Sequence, residues 1–548
     1  MSSIAALRNA FGDFIKSKYA CSAEHLKQCN LILNTDYSKK QFGDLSSNAP
    51  LILAKLLGRN PLDIGQEIKN EFAHEYIEKK EIAGAGFFNI FLAKKSFIEL
   101  AQDLFEHPTN LFKHTLQQKL KISIEYVSAN PTGPLHFGHG RGGIIGDVLA
   151  NVLTFLGHNV TKEFYVNDAG TQIEKLAMSL IIRCQQELGI EATLPEDAYH
   201  GEYLIDLAKK CIQEYGSNVL EKPEFFFKEY AQEQLLKQIK QTLQKYGIQF
   251  NVFFSEKTLH ESKAIDQSIE LLTRKGFVYE KEGALWFASS QFGDDKDRVI
   301  RKTNGEWTYV AADIAYLKNK IDRGFNSLFM VLGHDHHSYA TRLQAIRAAF
   351  DINVPLEVIL YQLVKIKEGD IEVRMSKRKG AIIELDDIID TVGKDVARFF
   401  YLHRKADAHL DFDLNLALKK TDENPVYYIQ YAYVRIKSIL NKASDVIESL
   451  SLYESDAKNI SETEYMLLKK VIALQDLLET VIENHQTHLL TYYVLELAQL
   501  FHLYYNEVKV IDPAQLATTK ARLLVLVVVK NTLGLCLDLL GLSKPERM

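Results

Sequence analysis

The sequence predicts an α/β protein built on a doubly wound parallel sheet, with a small α/β unit before it and a helical bundle after it. Two observations carry this prediction. Between about residue 116 and residue 404, short strand-like runs alternate with stretches of helical spacing, an order that is typical of a parallel sheet. After about residue 405, apolar residues recur at helical spacing without strand-like runs, which predicts a bundle.

The central region contains the clearest elements. Its predicted strands are residues 120–126, 159–166, 327–332 and 358–364, and its predicted helices include residues 142–156 and 339–350. Residues from about 170 to 300 interrupt the rhythm with long helices and a strand pair near 277–287, so we interpret them as an insertion. We therefore expect three domains, at residues 1–115, 116–404 and 405–548.

Bulk composition indicates a soluble globular protein. Of the 548 residues, 47% are hydrophobic and 25% charged, which argues against long disorder. The net charge of -6 means that any nucleic acid must bind to local basic patches.

Five scattered cysteines without a Cys-x-x-Cys pair predict a reducing compartment and no structural metal. The start resembles no signal peptide, and the apolar run 523–529 is too short to span a bilayer.

The first chemical motif lies between a predicted strand and a predicted helix. Residues 134–142 read Pro-Leu-His-Phe-Gly-His-Gly-Arg-Gly, so His136 and His139 can face one side of a helix start. Gly138 allows a flat ring to approach the backbone, and a helix N-terminus favours phosphate. Imidazole donors can bind the oxygens of a reacting triphosphate. The competing interpretation is a glycine-rich turn with two surface histidines.

The second motif is a basic loop at residues 374–380, Arg-Met-Ser-Lys-Arg-Lys-Gly. Cationic side chains on such a loop can neutralise the charge that builds on a pyrophosphate leaving group. Taken alone, a solvated charge run is the simpler interpretation. The two motifs together, in this order and on this sheet pattern, are far more specific than either one.

These motifs resemble those of class I arginyl-tRNA synthetases. Residues 136–139 resemble the HIGH signature of class I synthetases, and residues 374–378 resemble their KMSKS loop. The further matching stretches are residues 42–49, 125–136, 167–172, 292–298, 309–316 and 424–431. The resemblance therefore spans nearly the whole chain and implies ATP-dependent ligation of arginine to tRNA.

The resemblance also implies an arginine site. Family members place guanidinium acceptors at positions matching Glu125, Tyr309 and Asp313. A planar guanidinium prefers carboxylates in its own plane, and residues four apart share a helix face. Asn130 matches the residue that holds the amino-acid backbone, and His336 falls where some relatives carry glutamine. Without the resemblance, Asp313 is interpreted as a helix cap or surface acid and Tyr309 as core.

For the ATP site, the resemblance implies that His136, His139 and Lys377 act on the phosphates. The ATP-binding positions are expected to be Gly138, Gly333, Asp335, Arg374, Met375, Ser376 and Arg378. Arg374 replaces the first lysine of the KMSKS pattern, and Gly133 lies where relatives without the second lysine carry one. ATP is expected with Mg²⁺. A metal site at 334–337 is disfavoured because adjacent residues point in different directions.

The helical C-terminal region is expected to read the anticodon. Tyr427, Tyr431 and Arg435 offer stacking platforms and a phosphate contact, although some tyrosines must pack in the bundle core. The resemblance implies that the N-terminal module contacts the tRNA elbow and that arginine activation needs bound tRNA. We expect a cytoplasmic monomer without a membrane partner.

Two other classes of function stay open at this point. One is a nucleotidyltransferase that acts on a small acid without tRNA, against which the long helical C-terminal region argues. The other is a catalytically silent RNA-binding paralogue, against which His136, His139 and Lys377 argue.

Overall fold

A computed structural model describes residues 3–35, 37–113, 119–334, 337–369, 371–373, 383–444 and 459–548. A five-stranded parallel sheet lies at its centre, flanked by an N-terminal antiparallel unit and a C-terminal helical bundle. The predicted fold class is confirmed.

The N-terminal unit is a four-stranded antiparallel sheet covered by helices. Its elements are α1 (Ser3–Tyr19), α2 (Ala23–Gln28), β1 (Ile32–Leu33), β2 (Leu45–Ser47), α3 (Ala49–Leu57), α4 (Pro61–Glu71), β3 (Ile77–Ala83), β4 (Phe87–Leu92) and α5 (Lys94–Glu106). The strand order is β1-β2-β4-β3. Phe88 and Ile90 of β4 are fully buried against the helices, and glycines 84 and 86 make the turn into β4 at positive φ.

The central region alternates strands and helices. Its elements are β5 (Lys121–Tyr126), α6 (Phe137–Phe155), β6 (Asn159–Val166), α7 (Thr171–Glu187), α8 (Tyr203–Tyr215), α9 (Glu224–Lys245), β7 (Val252–Ser255), α10 (Lys257–Glu261), α11 (Ala264–Arg274), β8 (Val278–Lys281), β9 (Ala284–Phe287), β10 (Arg298–Arg301), α12 (Tyr309–Asp322), β11 (Ser327–Gly333), α13 (His337–Ala349) and β12 (Leu356–Tyr361). The parallel sheet has the order β12-β11-β5-β6-β7, and β8 to β10 form a separate antiparallel sheet.

The position of β7 corrects one sequence-based expectation. Residues 170–300 were interpreted as an insertion, yet β7 lies within that range and pairs in parallel with β6 at the edge of the central sheet. Four residues are too few to show a clear period, and the pairing with β6 is what defines the strand. The predicted strand pair near 277–287 is present as β8 and β9.

A small mixed sheet follows the central one. Its region contains β13 (Val364–Glu368), β14 (Ile371–Val373), α14 (Leu385–Val392), α15 (Lys394–Leu402), β15 (Leu410–Asp413) and α16 (Leu414–Ala417). The strand order is β14-β13-β15. The expected strand 358–364 is therefore two strands, since β12 ends at Tyr361 and β13 begins at Val364. The expectation of no strand after residue 405 is wrong, because Leu410 and Phe412 of β15 are buried beside β13.

The C-terminal bundle consists of long helices. They are α17 (Pro425–Lys442), α18 (Glu462–Asn484), α19 (Leu489–Glu507) and α20 (Leu516–Leu540). Among the described residues, α20 alone is long and apolar enough to span a membrane, and 78% of its most apolar window is buried inside the protein. It is thus a core helix of this bundle, as expected from residues 523–529.

A buried guanidinium joins the bundle to the central region. Arg398 of α15 is fully buried and donates to Asp147 Oδ2 of α6 at 2.6 Å and to the Leu540 carbonyl at the end of α20 at 2.8 Å. A Cβ on Gly541 would approach this guanidinium to 2.3 Å, so glycine is required there. The same Arg398 also donates to the Tyr246 carbonyl at 2.8 Å, which fixes α6 relative to three neighbouring elements.

Candidate active site

The candidate site lies at the carboxyl edge of the central sheet. Strands β5, β6 and β7 are parallel neighbours and end at Tyr126, Val166 and Ser255, so the segments after them converge on one edge. Ligands of doubly wound folds bind at this edge. The segment after β5 begins with Val127 and Ser128 at φ +67° and +41°, a strained backbone that turns the chain sharply towards α6.

The two histidines of the first motif form the N-terminal cap of α6. His136 is the capping residue, and its backbone N–H donates to Nδ1 of His139 at 3.2 Å. The imidazole rings lie 3.7 Å apart between centroids. A Cβ on Gly138 would lie 3.1 Å from the His136 ring, so the glycine leaves room for that ring. Burial, with His136 as a smaller cause, lowers the pKa of His139 to about 3, so this imidazole is neutral near pH 7.

The segment that follows the second motif in sequence lies beside the first motif. Residues 374–382 lie outside the described residues, including Arg374, Met375, Ser376, Lys377 and Arg378. The chain resumes at Ile383, whose carbonyl accepts from Phe137 N–H at 3.0 Å, and Leu385 N–H donates to the Leu135 carbonyl at 2.7 Å. Residues 383–385, which follow the basic motif in sequence, therefore lie directly beside the histidine cap.

A buried acid without a full set of partners lies on α12. Asp313 Oδ1 accepts from Tyr339 Oη at 2.7 Å, whereas its Oδ2 is buried and has no hydrogen-bond partner among the described residues. Burial raises the pKa of Asp313 to about 7; the Tyr339 hydrogen bond and Arg342 oppose this shift, and Glu256 and Glu125 reinforce it. An unpaired buried carboxylate oxygen is costly, and a cation with N–H donors would satisfy it.

Glu125 lies at the end of β5, close enough to Asp313 for its charge to raise the pKa of that acid. It is 4% exposed; its Oε1 accepts from Ser128 Oγ at 3.1 Å, and its Oε2 is 2.8 Å from Lys320 Nζ. Lys320 also lies 3.2 Å from Glu163 Oε1 on the neighbouring strand β6. The structure thus places Glu125 near Asp313 and a buried lysine beneath Glu125.

Comparison with known families identifies the chain. A family model described as the catalytic domain of class I tRNA synthetases (R) matches residues 101–407, which is more than half of the chain. A DALR anticodon binding domain matches residues 429–548, and an arginyl tRNA synthetase N terminal domain matches residues 5–92. The chain belongs to the class I arginyl-tRNA synthetases.

Curated relatives and solved structures agree with this membership. The arginine–tRNA ligase of Bacillus subtilis is 39% identical over 535 residues, covering 96% of each chain. That of Caldanaerobacter subterraneus is 41% identical over 520 residues, covering 93% of this chain and 92% of its own. A putative arginyl-tRNA synthetase structure from Campylobacter jejuni is 33% identical with a TM-score of 0.74, covering 83% of this chain and all of that one. Thermus thermophilus arginyl-tRNA synthetase, 20% identical, shares the fold with a TM-score of 0.77, over 99% of this chain and all of its own.

The structure of this synthetase adds an acid that the sequence motifs did not indicate. Glu256 follows β7, is 5% exposed, and its Oε1 lies 3.7 Å from Nε2 of His260. Its pKa is raised by burial, and its charge in turn raises the pKa of Asp313, so the two acids lie near each other. Asn167, in the amide orientation that satisfies its neighbours, donates to Glu256 Oε2 at 3.1 Å. A polar residue just after a central strand is the signal that could have revealed it, but β7 itself was not recognised.

The remaining predicted substrate residues differ in how exposed they are and in what they contact. Tyr309 begins α12 and is 57% exposed, so the alternative interpretation of Tyr309 as a core residue is wrong. Asn130 is exposed and donates to Gln172 Oε1 at 2.8 Å. Gly333 ends β11 on the central sheet. Asp335 and His336 lie outside the described residues. Among the described residues, no group of three or more His, Cys, Asp or Glu side chains is arranged to bind a metal ion.

A groove of about 1100 Å³ lies between the bundle and the catalytic region. Its lining includes Tyr427, Tyr431 and His502 from the bundle and Lys394 from α15, together with Arg547 near the end of the chain. Tyr431 is 45% exposed, and its ring stacks on that of His502 with centroids 5.7 Å apart.

Arg435 is placed differently from these two tyrosines. It lies on the same helix, α17, but it does not line the groove. Its guanidinium donates to Tyr505 Oη and lies over that ring. The structure therefore brings together two of the three predicted tRNA-binding residues.

Proposed function

We propose that this chain ligates L-arginine to the 3′-terminal ribose of arginine tRNA in two ATP-dependent steps. In the first, the arginine carboxylate attacks the α-phosphorus of ATP and pyrophosphate leaves. In the second, a hydroxyl of the terminal ribose, the 2′-hydroxyl as in most class I enzymes, attacks the activated carbonyl and AMP leaves. The observation that carries this proposal is the buried, unpartnered Oδ2 of Asp313, next to Glu125 and Glu256 and at the sheet edge that also bears the histidine cap.

In this proposal, the acidic pocket binds the substrate guanidinium. Asp313 and Glu125 accept its N–H groups, and Tyr309 closes over it from the exposed start of α12. We add Glu256 as a third acceptor, because it is buried, lies near Asp313 and has a raised pKa. A guanidinium presents five donors in a planar fork, which several carboxylates can share, whereas a lysine ammonium is a point charge that would leave acceptors unpaired.

Two further groups would hold the amino-acid end of the substrate. We assign Asn130 to the backbone of arginine, with Gln172 orienting its amide through the 2.8 Å hydrogen bond. His336 is proposed for the α-amino group, to which a neutral imidazole nitrogen can act as an acceptor.

ATP is proposed to bind across the start of α6. The Nδ1 atom of His139 accepts a backbone N–H, so the neutral ring carries its proton on Nε2 and can donate to a phosphate oxygen. His136 is proposed to bind the ATP phosphates beside His139. Lys377 is proposed to neutralise the leaving pyrophosphate. The supporting ATP-binding positions are Gly138, Gly333, Asp335, Arg374, Met375, Ser376 and Arg378. Mg²⁺ would enter as part of the MgATP substrate.

Transfer RNA is proposed to contact all three domains, at residues 1–115, 116–404 and 405–548. Bases of the anticodon loop would stack on Tyr427 and Tyr431 in the groove, where Lys394 and Arg547 offer cations to the backbone phosphates. Arg435 is proposed to act indirectly, by positioning Tyr505. We propose a cytoplasmic monomer.

The decisive experiment is ATP–pyrophosphate exchange with each of the twenty amino acids, with and without bulk tRNA. We expect exchange with arginine alone, and only when tRNA is present. Exchange with another amino acid would overturn the pocket assignment. Exchange that is indifferent to tRNA, with no aminoacylation, would favour a nucleotidyltransferase, and tight tRNA binding without exchange would indicate a silent RNA-binding protein.

A further inference from the structure

Lys320 is a fully buried cation on the helix that carries the arginine pocket. It is 1% exposed, and it lies seven residues after Asp313 on α12, which places the two side chains on one face of the helix. Its Nζ is 2.8 Å from Glu125 Oε2, 3.2 Å from Glu163 Oε1 and 3.4 Å from Ser123 Oγ. Lysines are almost never buried this completely unless their charge is paired.

The two acids that Lys320 contacts depend on it to different degrees. Glu163 has a second cation, because Arg323 donates to its two oxygens at 2.6 and 2.9 Å, and Tyr316 Oη donates at 2.5 Å. Burial alone would raise the pKa of Glu163, but Lys320, Arg323 and Tyr316 lower it to about 2. For Glu125, Lys320 is the one cationic side chain within ion-pair distance among the described residues. Removing Lys320 would therefore disturb Glu125 more than Glu163.

The contacts of Glu125 fix its carboxylate from two sides. Ser128 Oγ donates to one oxygen, and Lys320 lies against the other. Ser128 is itself held, since its Oγ accepts the backbone N–H of Tyr165 at 3.0 Å. The orientation of the carboxylate is thus set before a substrate arrives, which reduces the entropy lost on binding.

We propose that Lys320 is a positioning residue for arginine recognition: it locks the Glu125 carboxylate to the helix that carries Asp313, so that the two acceptors keep a fixed spacing. This inference rests on the proposed role of Glu125 in binding arginine. One helix then holds one acceptor directly and the other through an ion pair. Lys320 itself does not touch the substrate.

The main test is a double-mutant cycle of Lys320→Met and Glu125→Gln, assayed by ATP–pyrophosphate exchange with tRNA present. Lys320→Met should raise the KM for arginine roughly tenfold to hundredfold, the range for misplacing one charge-assisted hydrogen bond, with kcat and the KM for ATP within about twofold. Because Lys320 acts through Glu125, its substitution should add little in the Glu125→Gln background. Lys318→Met is the matched control, since Lys318 lies on the same helix in an exposed pair with Asp322.

The double-mutant cycle tests the proposed role of Glu125 and the proposed role of Lys320 separately. If Glu125→Gln leaves the KM for arginine unchanged, the proposed role of Glu125 fails. If Glu125→Gln raises that KM but Lys320→Met does not, or if the two effects simply add, the positioning role of Lys320 is overturned. A parallel fall in kcat and rise in both KM values would show a merely structural residue.

Folding of the Met variant is checked by its thermal unfolding midpoint. If Lys320→Met does not fold, Lys320→Arg decides, because it keeps the charge but changes the geometry. We then expect a severalfold higher KM for arginine with an unchanged KM for ATP, and unchanged values for both would overturn the inference.

Discussion

The two sides of the active site use burial in opposite directions. At the start of α6, burial lowers the pKa of His139 to about 3, so the phosphate side presents a neutral donor. On α12, burial raises the pKa of Asp313 to about 7, with Glu256 and Glu125 adding to the shift. In both places burial disfavours the charged form of the side chain in the free protein.

If the proposed substrate assignments hold, this difference would let one cleft bind two substrates of opposite charge at separate positions. A guanidinium gains most on the side where carboxylates crowd one another, because it relieves their repulsion. In the proposed function, the triphosphate would bind at the helix start, where the helix N-terminus favours anions and a neutral imidazole can donate a hydrogen bond. A substitution on one side of the site should therefore weaken the use of one substrate and leave the use of the other unchanged.

The largest effect is expected on the arginine side. Asp313→Asn removes the charge of the unpartnered acceptor, and breaking a buried ion pair costs roughly 3–5 kcal/mol, so kcat/KM for arginine should fall about 10²- to 10³-fold or more. Exchange kinetics measured over a range of arginine concentrations check this. Asp322→Asn, on the exposed end of the same helix, is the control. If Asp313→Asn lowered kcat/KM for arginine less than fivefold, the assignment of Asp313 to the guanidinium site would be wrong.

The next effect is expected on the phosphate side. His139→Asn keeps an acceptor for the His136 N–H but loses the Nε2 donor, and loss of one oxyanion donor costs about 10²-fold in kcat. The KM for arginine should stay within about threefold. His158→Asn, just beyond the other end of α6, serves as control. If His139→Asn instead raised the KM for arginine with kcat preserved, the division between the two sides would be wrong.

Particular residues show what the sequence could and could not predict. The strands β5, β6 and β11 alternate or bury their side chains over six residues or more, so their pattern is readable, whereas β7 and β15 have four residues each and are defined by their neighbours. The histidine cap and Asp313 were found through motifs. Glu256 has no motif, and its role depends on a strand pairing that spans 86 residues of chain from Val166 to Val252.

The burial of Lys320 also could not be predicted from the sequence. As a lysine on an amphipathic helix it is indistinguishable in sequence from the half-buried Lys318, two residues earlier. Only packing against β5 and β6 buries it. The assignments to Asp335, His336 and residues 374–378 stay predictions that lie outside the described residues.

A smaller effect is expected from pH. Arginine should bind the ionised form of Asp313, whose pKa is about 7 in the free enzyme, so its KM should rise as pH falls below 7, by at most about tenfold per unit. Because the folded pKa is raised, keeping Asp313 ionised above pH 7 costs the free enzyme stability that bound arginine restores. The measurement is the KM for arginine from pH 5.5 to 8. It should be flat in Asp313→Asn, and a flat profile in the unchanged enzyme would contradict the assignment.

The smallest effect is expected on α17, where Tyr431 and Arg435, two of the three predicted RNA-contacting residues, differ in their surroundings. Tyr431 is 45% exposed in the groove, whereas Arg435 is engaged with Tyr505. Base stacking contributes about 1–3 kcal/mol, so Tyr431→Ala should raise the KM for tRNA roughly fivefold or more, with the KM for arginine unchanged at saturating tRNA. Arg435→Gln should change the KM for tRNA less than Tyr431→Ala does, because it disturbs a neighbour and not a contact. Aminoacylation at varied tRNA concentration measures both, and the reverse ranking would mean that Arg435 leaves Tyr505 to bind the RNA directly.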